Sequence, residues 1–198
     1  MTKSQNPNIP TPVNPVEIDR AIVDLNSFMV SSLSWLQFGY GRAYKKLDVT
    51  AGKNGYFPLV YRGKIQQDFR YFSATPDNDK IGQCFFLVRR QNLLQQNSGL
   101  YGYLSYEVSI IFSVNLEKVN EVLLETEMFT ENLIKQVKDC IIRENLGTFY
   151  RVQVNQILYN FDEVFAEFNM QRKQQQAEKA PLDHFRLNCT IILPEDCP

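Results

Sequence analysis

His184 is the only histidine in the chain, and Asp183 stands directly before it. A histidine with an acid and a serine could form a hydrolytic triad, in which the imidazole carries the proton and the acid orients the ring. The surrounding stretch, LDHFRLNCTIILPEDC from Leu182 to Cys197, argues against that use. Phe185, Leu187, Cys189, Ile191 and Leu193 fall at every second position, the period of a half-buried β-strand. Neighbours in a strand point to opposite faces, so Asp183 cannot orient His184. His184 is therefore expected to face solvent or an interface. The sequence has no GxSxG elbow, no HExxH and no phosphate-binding P-loop. GYGR (39–42) and GLYG (99–102) are short and irregular, and glycines in turns account for both.

The cysteines are Cys84, Cys140, Cys189 and Cys197. No two form a CxxC pair, and His184 is not at ligand spacing to any of them. Cys140 and Cys189 fall on apolar faces and read as small core residues. Nothing near Cys197 would activate its thiol. Glu195 and Asp196 read as a solvated chain end. Arg89 and Arg90, with Lys64 and Arg70, could form a basic patch for nucleic acid, weighed against scattered surface charge. These residues supply no catalytic constellation, and neither a cofactor nor a metal is expected.

The elements that would position these residues can be read from periodicity. Asn14-Pro15-Val16-Glu17 has the form of a helix start, with Asn14 as N-cap. Ile18, Ile22, Leu25, Met29, Leu33 and Leu36 then recur at helical spacing, and Gly39 and Gly41 predict an end near Phe38. Residues 39–80 are rich in Gly, Pro, Tyr and Lys, with one possible short strand at 56–64. Residues 73–83 and 91–102 read as loops, and 84–90 as a strand. The clearest strand is YLSYEVSIIFSV (103–114), with one apolar face and one mostly polar face. After a connector, Phe129, Leu133, Val137, Cys140 and Ile141 predict a second long helix over about 126–145, with Gly147 as its cap. A strand within 149–159 and a short helix from Asn160 follow, and 170–180 reads as a solvated connection. The terminal strand matches 103–114 in length and alternation, so it should pair beside it and close the sheet. This order predicts an α+β fold, a mainly antiparallel sheet with two long helices packed on one face.

Size and charge limit the function classes. A chain of 198 residues suits one domain, here 14–198 with an insertion-like region at about 39–102, preceded by a polar, proline-rich arm at 1–13. A formal net charge of −1 argues against a general nucleic-acid footprint. No apolar run reaches the roughly 20 residues of a membrane span, and the amino terminus lacks the apolar core of a signal peptide. Reduced thiols in a cytoplasmic setting are expected. The aromatic content of 13% is high, as in large cores and large contact surfaces alike.

The carboxyl-terminal half resembles the neck and tail-completion proteins of tailed bacteriophages, the tail-terminator-like group. The likeness lies in YLSYEVSIIFSV, the helix TENLIKQVKDCIIREN, then RVQVNQILYNFDEVFAEFN, and last HFRLNCTIILPEDC. The long segment 39–102, with extra loops, departs from short members of the group. The glutamine- and tyrosine-rich wording is similar to that of phages of Bacteroidetes, including the crAss-like group. The resemblance implies a structural, non-enzymatic virion protein, assembled in the bacterial host cytoplasm. It implies a hexameric or dodecameric ring of identical subunits, stacked with portal, adaptor or tail proteins. DNA would pass through the channel without specific binding, and no membrane would be involved. Arg89, Arg90, Tyr101, Tyr103, Arg172, Lys173, His184 and Arg186 are the candidate interface or channel-facing residues. A small cytoplasmic enzyme using His184, or an adaptor domain, are the alternatives.

Overall fold

The alternating stretches at 103–114 and 182–193 fold as adjacent strands near the middle of one sheet. A computed structural model describes residues 15–48, 55–65, 68–94, 103–123, 129–169 and 181–194. In chain order the elements are α1 (Glu17–Ser32), β1 (Phe38–Asp48), β2 (Gly55–Ile65), β3 (Asp68–Ser73), β4 (Gly82–Leu94), β5 (Tyr103–Asn115), α2 (Leu116–Leu123), α3 (Thr130–Glu144), β6 (Arg151–Leu158), α4 (Phe161–Val164) and β7 (Leu182–Pro194). The strands form a mixed seven-stranded sheet in the order β3-β2-β1-β4-β5-β7-β6. Every pairing is antiparallel except β1 with β4. The fold is α+β. The expected arm at 1–13 lies outside the described residues.

The terminal strand pairs with β5 from Leu182↔Asn115 to Pro194↔Tyr103, as its alternation predicts. It does not close the sheet, because β6 pairs along its other side and forms the edge. Deleting β7 would therefore strip β6 of its sheet partner and leave β5 paired on the β4 side alone.

Two cores flank the sheet. Ile22, Leu25 and Met29 of α1 and Leu133, Val137 and Ile141 of α3 pack with Phe86, Ile110, Phe112, Phe185 and Leu187 of the strands. Phe112 and Phe185, opposite each other in register, stack with ring centroids 4.6 Å apart. The second core joins Phe85, Leu87 and Ile111 to Val164, Phe165 and Phe168, in and just after α4. Covering both sides corrects the expectation of a half-solvated sheet. Ser105, Ser109 and Ser113, the polar positions of β5, are buried, as are His184, Arg186 and Asn188 of β7.

Helix α1 ends at Ser32, six residues before the expected end. Leu33 and Leu36 continue the apolar spacing because the turn into β1 is buried too, with Trp35. The glycines serve β1 instead. A Cβ at Gly39 would run into the side chains of Asn26 and Val30 of α1, so a larger residue there would force them aside. Gly41 has φ +69° within the bulge that separates Gly39 from Arg42 against β4. At the other end Val16, not Asn14, is the N-cap, and Asn14 lies outside the described residues.

Four further expectations change. Residues 39–80 hold three paired strands rather than one short strand at 56–64. The connector after β5 contains α2, opened by Asn115, whose Oδ1 accepts from the Lys118 amide at 3.1 Å. Phe129 is the exposed N-cap of α3 rather than part of its buried stripe, and Asn145, not Gly147, is its C-cap. The short helix α4 is capped as expected, with Asn160 Oδ1 accepting from the Asp162 amide at 2.9 Å.

Candidate interaction surfaces

The polar face of β7 is where the sequence placed its only histidine, and its surroundings decide what that histidine can do. His184 Nδ1 lies 2.9 Å from Ser113 Oγ on the neighbouring strand, in hydrogen-bonding contact. The rings of Phe161 and Phe165 stand edge-on to the imidazole at 5.4 and 5.3 Å. Ser113 and His184 are both buried, so a substrate would have to displace α4 to reach them. Asp183 points the other way, accepting from the Thr130 hydroxyl of α3. The alternation argument against a triad therefore holds. The expectation that His184 faces solvent or an interface does not, because α4 covers it.

Arg186 is corrected in the same way. It is 2% exposed and fully engaged. Its guanidinium forks onto Glu167, with Nη1 2.5 Å from Oε2 and Nη2 2.6 Å from Oε1. Nη2 also donates to Ser109 Oγ at 2.9 Å, and Nε to Asn188 Oδ1 at 2.8 Å. Nη1 reaches the carbonyls of Glu163 and Val164 at 3.4 and 3.3 Å, the acceptors left open at the end of α4. Asn188 passes the network on, donating to Gln156 Oε1 of β6 at 3.0 Å. Burial pushes the Glu167 carboxyl up, but the Arg186 hydrogen bonds and charge outweigh it and hold it below the ordinary glutamate value. This network clamps α4 to β5 and β7.

The remaining candidates divide. Arg89 and Arg90 are both exposed, although successive strand residues should alternate. A bulge between Val88 and Arg90 places the extra residue, Arg89, opposite no partner and turns both side chains outward. Tyr103 is exposed at the start of β5. Tyr101, Arg172 and Lys173 lie outside the described residues, as do Glu195, Asp196, Cys197 and the expected connection at 170–180. Lys64 and Arg70 lie in β2 and β3, separated from β4 by β1.

Cys84, Cys140 and Cys189 are free and buried. Burial pushes the Cys189 thiol up to about 12 and raises Cys84 and Cys140 as well, which makes all three inert as nucleophiles. Among the described residues no group of three or more His, Cys, Asp or Glu could hold a metal ion. No described helix is long and apolar enough to cross a membrane.

Two exposed surfaces were not singled out by residue type. The first is the ribbon of β1–β3, whose alternation and register put Tyr44, Tyr61 and Tyr71 on one face and Leu47 and Tyr56 on the other. Beyond Ala43↔Leu87, β1 no longer pairs with β4 and continues to Asp48 on β2 alone. Tyr44, Leu47, Tyr56, Tyr61 and Tyr71 of these strands are 37–53% exposed. Arg42 stands over Tyr44 at 5.1 Å, Lys45 over Tyr56 at 4.6 Å and Lys46 over Tyr71 at 5.5 Å. Tyr61 and Tyr71 face each other across β2 and β3 with ring centroids 5.5 Å apart. The sequence did carry a signal. Residues 38–73 hold five of the ten tyrosines, and seven Lys and Arg against two Asp, a net of +5. The rest of the chain has fourteen against twenty, a net of −6.

The second surface lies toward the opposite edge, where β5 ends and β7 begins. Leu116, Phe129, Thr130, Glu131, Tyr159 and Asp183 line a concavity of about 540 Å³. Phe129 and Tyr159 expose more than half of their surface there. Glu117 and Glu121 are exposed on α2, whose first residue is Leu116. Its one lysine, Lys118, donates to the Asn78 carbonyl at 2.9 Å. No protein-family model matches the chain, and no curated protein matches it either.

Proposed function

We propose that this chain is a structural ring subunit of a tailed bacteriophage, in the portal-proximal neck or at the head–tail or tail junction. The observation that carries the reading is the pair of unlike exposed surfaces toward opposite edges of one sheet. A ring is built from heterologous contacts, in which one surface of a subunit meets a different surface of the next. Tyrosine, exposed at four positions of β1–β3, is favoured at protein contacts. On this reading α1 and α3 are the two long helices on one face of a tail-terminator-like fold, and β1–β3 are its added ribbon. The subunit has a structural role and no catalytic one, meets portal, adaptor or tail proteins above and below, and lets DNA pass without specific binding.

The test is mass. The purified chain should run as a hexamer or dodecamer by native mass spectrometry or light scattering, and ring-shaped particles should appear by negative-stain microscopy. Persistent monomers over the concentration range, with no copies in purified virions, would refute the assignment.

A further inference from the structure

We infer that the two open edges of the sheet pair between copies of this chain, β6 of one copy taking β3 of the next as an added antiparallel strand. The inference rests on the ring reading and names the strands that join its subunits.

Both edges are open in the backbone. β3 and β6 are the outermost strands of the sheet. The Val152 N–H of β6 donates to Asn145 Oδ1 at 2.8 Å, and its carbonyl accepts from Asn145 Nδ2 at 2.9 Å. These groups therefore face away from β7. Facing alternates along an antiparallel strand. Val152, Val154 and Ile157 stand opposite Ile191, Cys189 and Leu187, alternate residues of β7, with the bulge at Asn155 between the last two pairs. All three thus face the open side. On β3 the neighbouring Ala74 amide donates to the Pro58 carbonyl at 2.9 Å, so Ala74 faces β2, and Ser73 and Tyr71 face outward. Among the described residues nothing pairs with the outward backbone groups of Val154, Ile157, Tyr71 or Ser73. From Val152 to Leu158, β6 carries neither the proline nor the charge that guards many exposed edges. Asn145 closes the edge at Val152 and leaves Val154–Leu158 open, a length that the 6 residues of β3 match.

Strand direction selects the occupant. β3 runs parallel to β1, β4 and β7, and β6 runs against β7. A ring whose axis lies along the strands repeats the subunit without reversing it, so β6 meets the next β3 antiparallel. Two β6 edges can also pair across a two-fold axis, but that contact stops at a dimer and leaves both β3 edges open.

The flanking side chains agree. Arg42 of β1 is bonded to Asp19 of α1, so its face of the ribbon is the α1–α3 side, and Tyr44, Tyr61 and Tyr71 share that face. On β6, Val154 packs against the α1–α3 core. Ile142 and Leu146, at the end of α3, are 58% and 85% exposed, on either side of the Asn145 that reaches the β6 edge. Sheets joined with the same side outward bring Tyr61 and Tyr71 of one copy beside Ile142 and Leu146 of the next, which covers apolar surface on both.

Prolines at outward-facing positions test it, since they remove a donor that the single subunit does not use. At dilutions where all chains are monomeric, Val154→Pro and Tyr71→Pro should each keep their Tm within about 4 °C of the unaltered chain, whereas Gln153→Pro, which removes a donor to β7, should fall further. Each of the two outward variants alone should stay monomeric by native mass spectrometry at roughly tenfold the concentration at which the unaltered chain assembles. Their equimolar mixture should stop at a heterodimer, in which β3 of the Val154→Pro chain lies on β6 of the Tyr71→Pro chain. If either variant assembles like the unaltered chain, if the mixture forms no dimer, or if Tyr71→Pro dimerises by itself, the β3–β6 contact is wrong while the ring reading stands. Where a proline variant fails to fold, Ile142→Lys with Leu146→Lys, which leaves the backbone alone, decides: monomers support the contact and normal assembly overturns it. If the unaltered chain never assembles, the ring reading fails and the contact with it.

Discussion

Replacing Arg186 with Met should be among the most damaging single changes in the chain, and replacing Glu167 along with it should undo much of the damage. In the single variant the Glu167 carboxylate loses both of its short bonds, and Ser109 and Asn188 lose a shared donor. The carbonyls of Glu163 and Val164 are left open beneath α4. Removing one partner of a buried pair typically costs about 3–5 kcal/mol. The Glu167 side chain is 24% exposed and can turn partly to water, which places the expected loss at the lower end, about 3 kcal/mol. For a chain of this size that is a drop in Tm of roughly 6–12 °C. Arg186→Met with Glu167→Leu leaves no stranded charge, so the double variant should recover at least half of the loss. Urea titrations of the four proteins give the coupling directly. Acid gives a second readout. The native Glu167 value lies below the ordinary 4.5, so its stabilisation is present above that pH and is lost as pH falls through the native value. The gap between the unaltered chain and Arg186→Met should accordingly narrow in acid. A single variant costing under 1 kcal/mol, or a double variant costing the sum of the singles, would refute the clamp.

Deleting residues 182–198 should yield insoluble or unfolded protein. β7 pairs on both sides and buries Phe185, Leu187, Ile191 and Leu193, each contributing roughly 1.5–3 kcal/mol. A soluble truncation that melts cooperatively would contradict this. At Gly41 the space is open but φ is +69°, so Gly41→Val should cost roughly 1–2 kcal/mol through the backbone alone, measurable as a lower urea midpoint.

The sequence alone determined the strands at 103–114 and 182–193, the existence and buried stripes of the helices α1 and α3, the cap of α4 and the α+β class. All of these depend on periodicity or on a residue acting on its nearest neighbours, and such signals are local. It also separated Asp183 from His184, because alternation along a strand is fixed by the backbone. What the tertiary structure alone decided was which polar face is dry. Ser109, Ser113, His184, Arg186 and Asn188 have the pattern of a solvated face, and α4 turns that face into a buried network. No local rule could show that, since the cover comes from a four-residue helix some twenty positions away whose own sequence does not say where it docks. The same holds for β1–β3. Bulges interrupt their alternation, and their partners are chosen by sheet order, so only the assembled sheet shows which tyrosines are left exposed. Burial is a property of the pair of surfaces that meet, and a single strand carries half of that information.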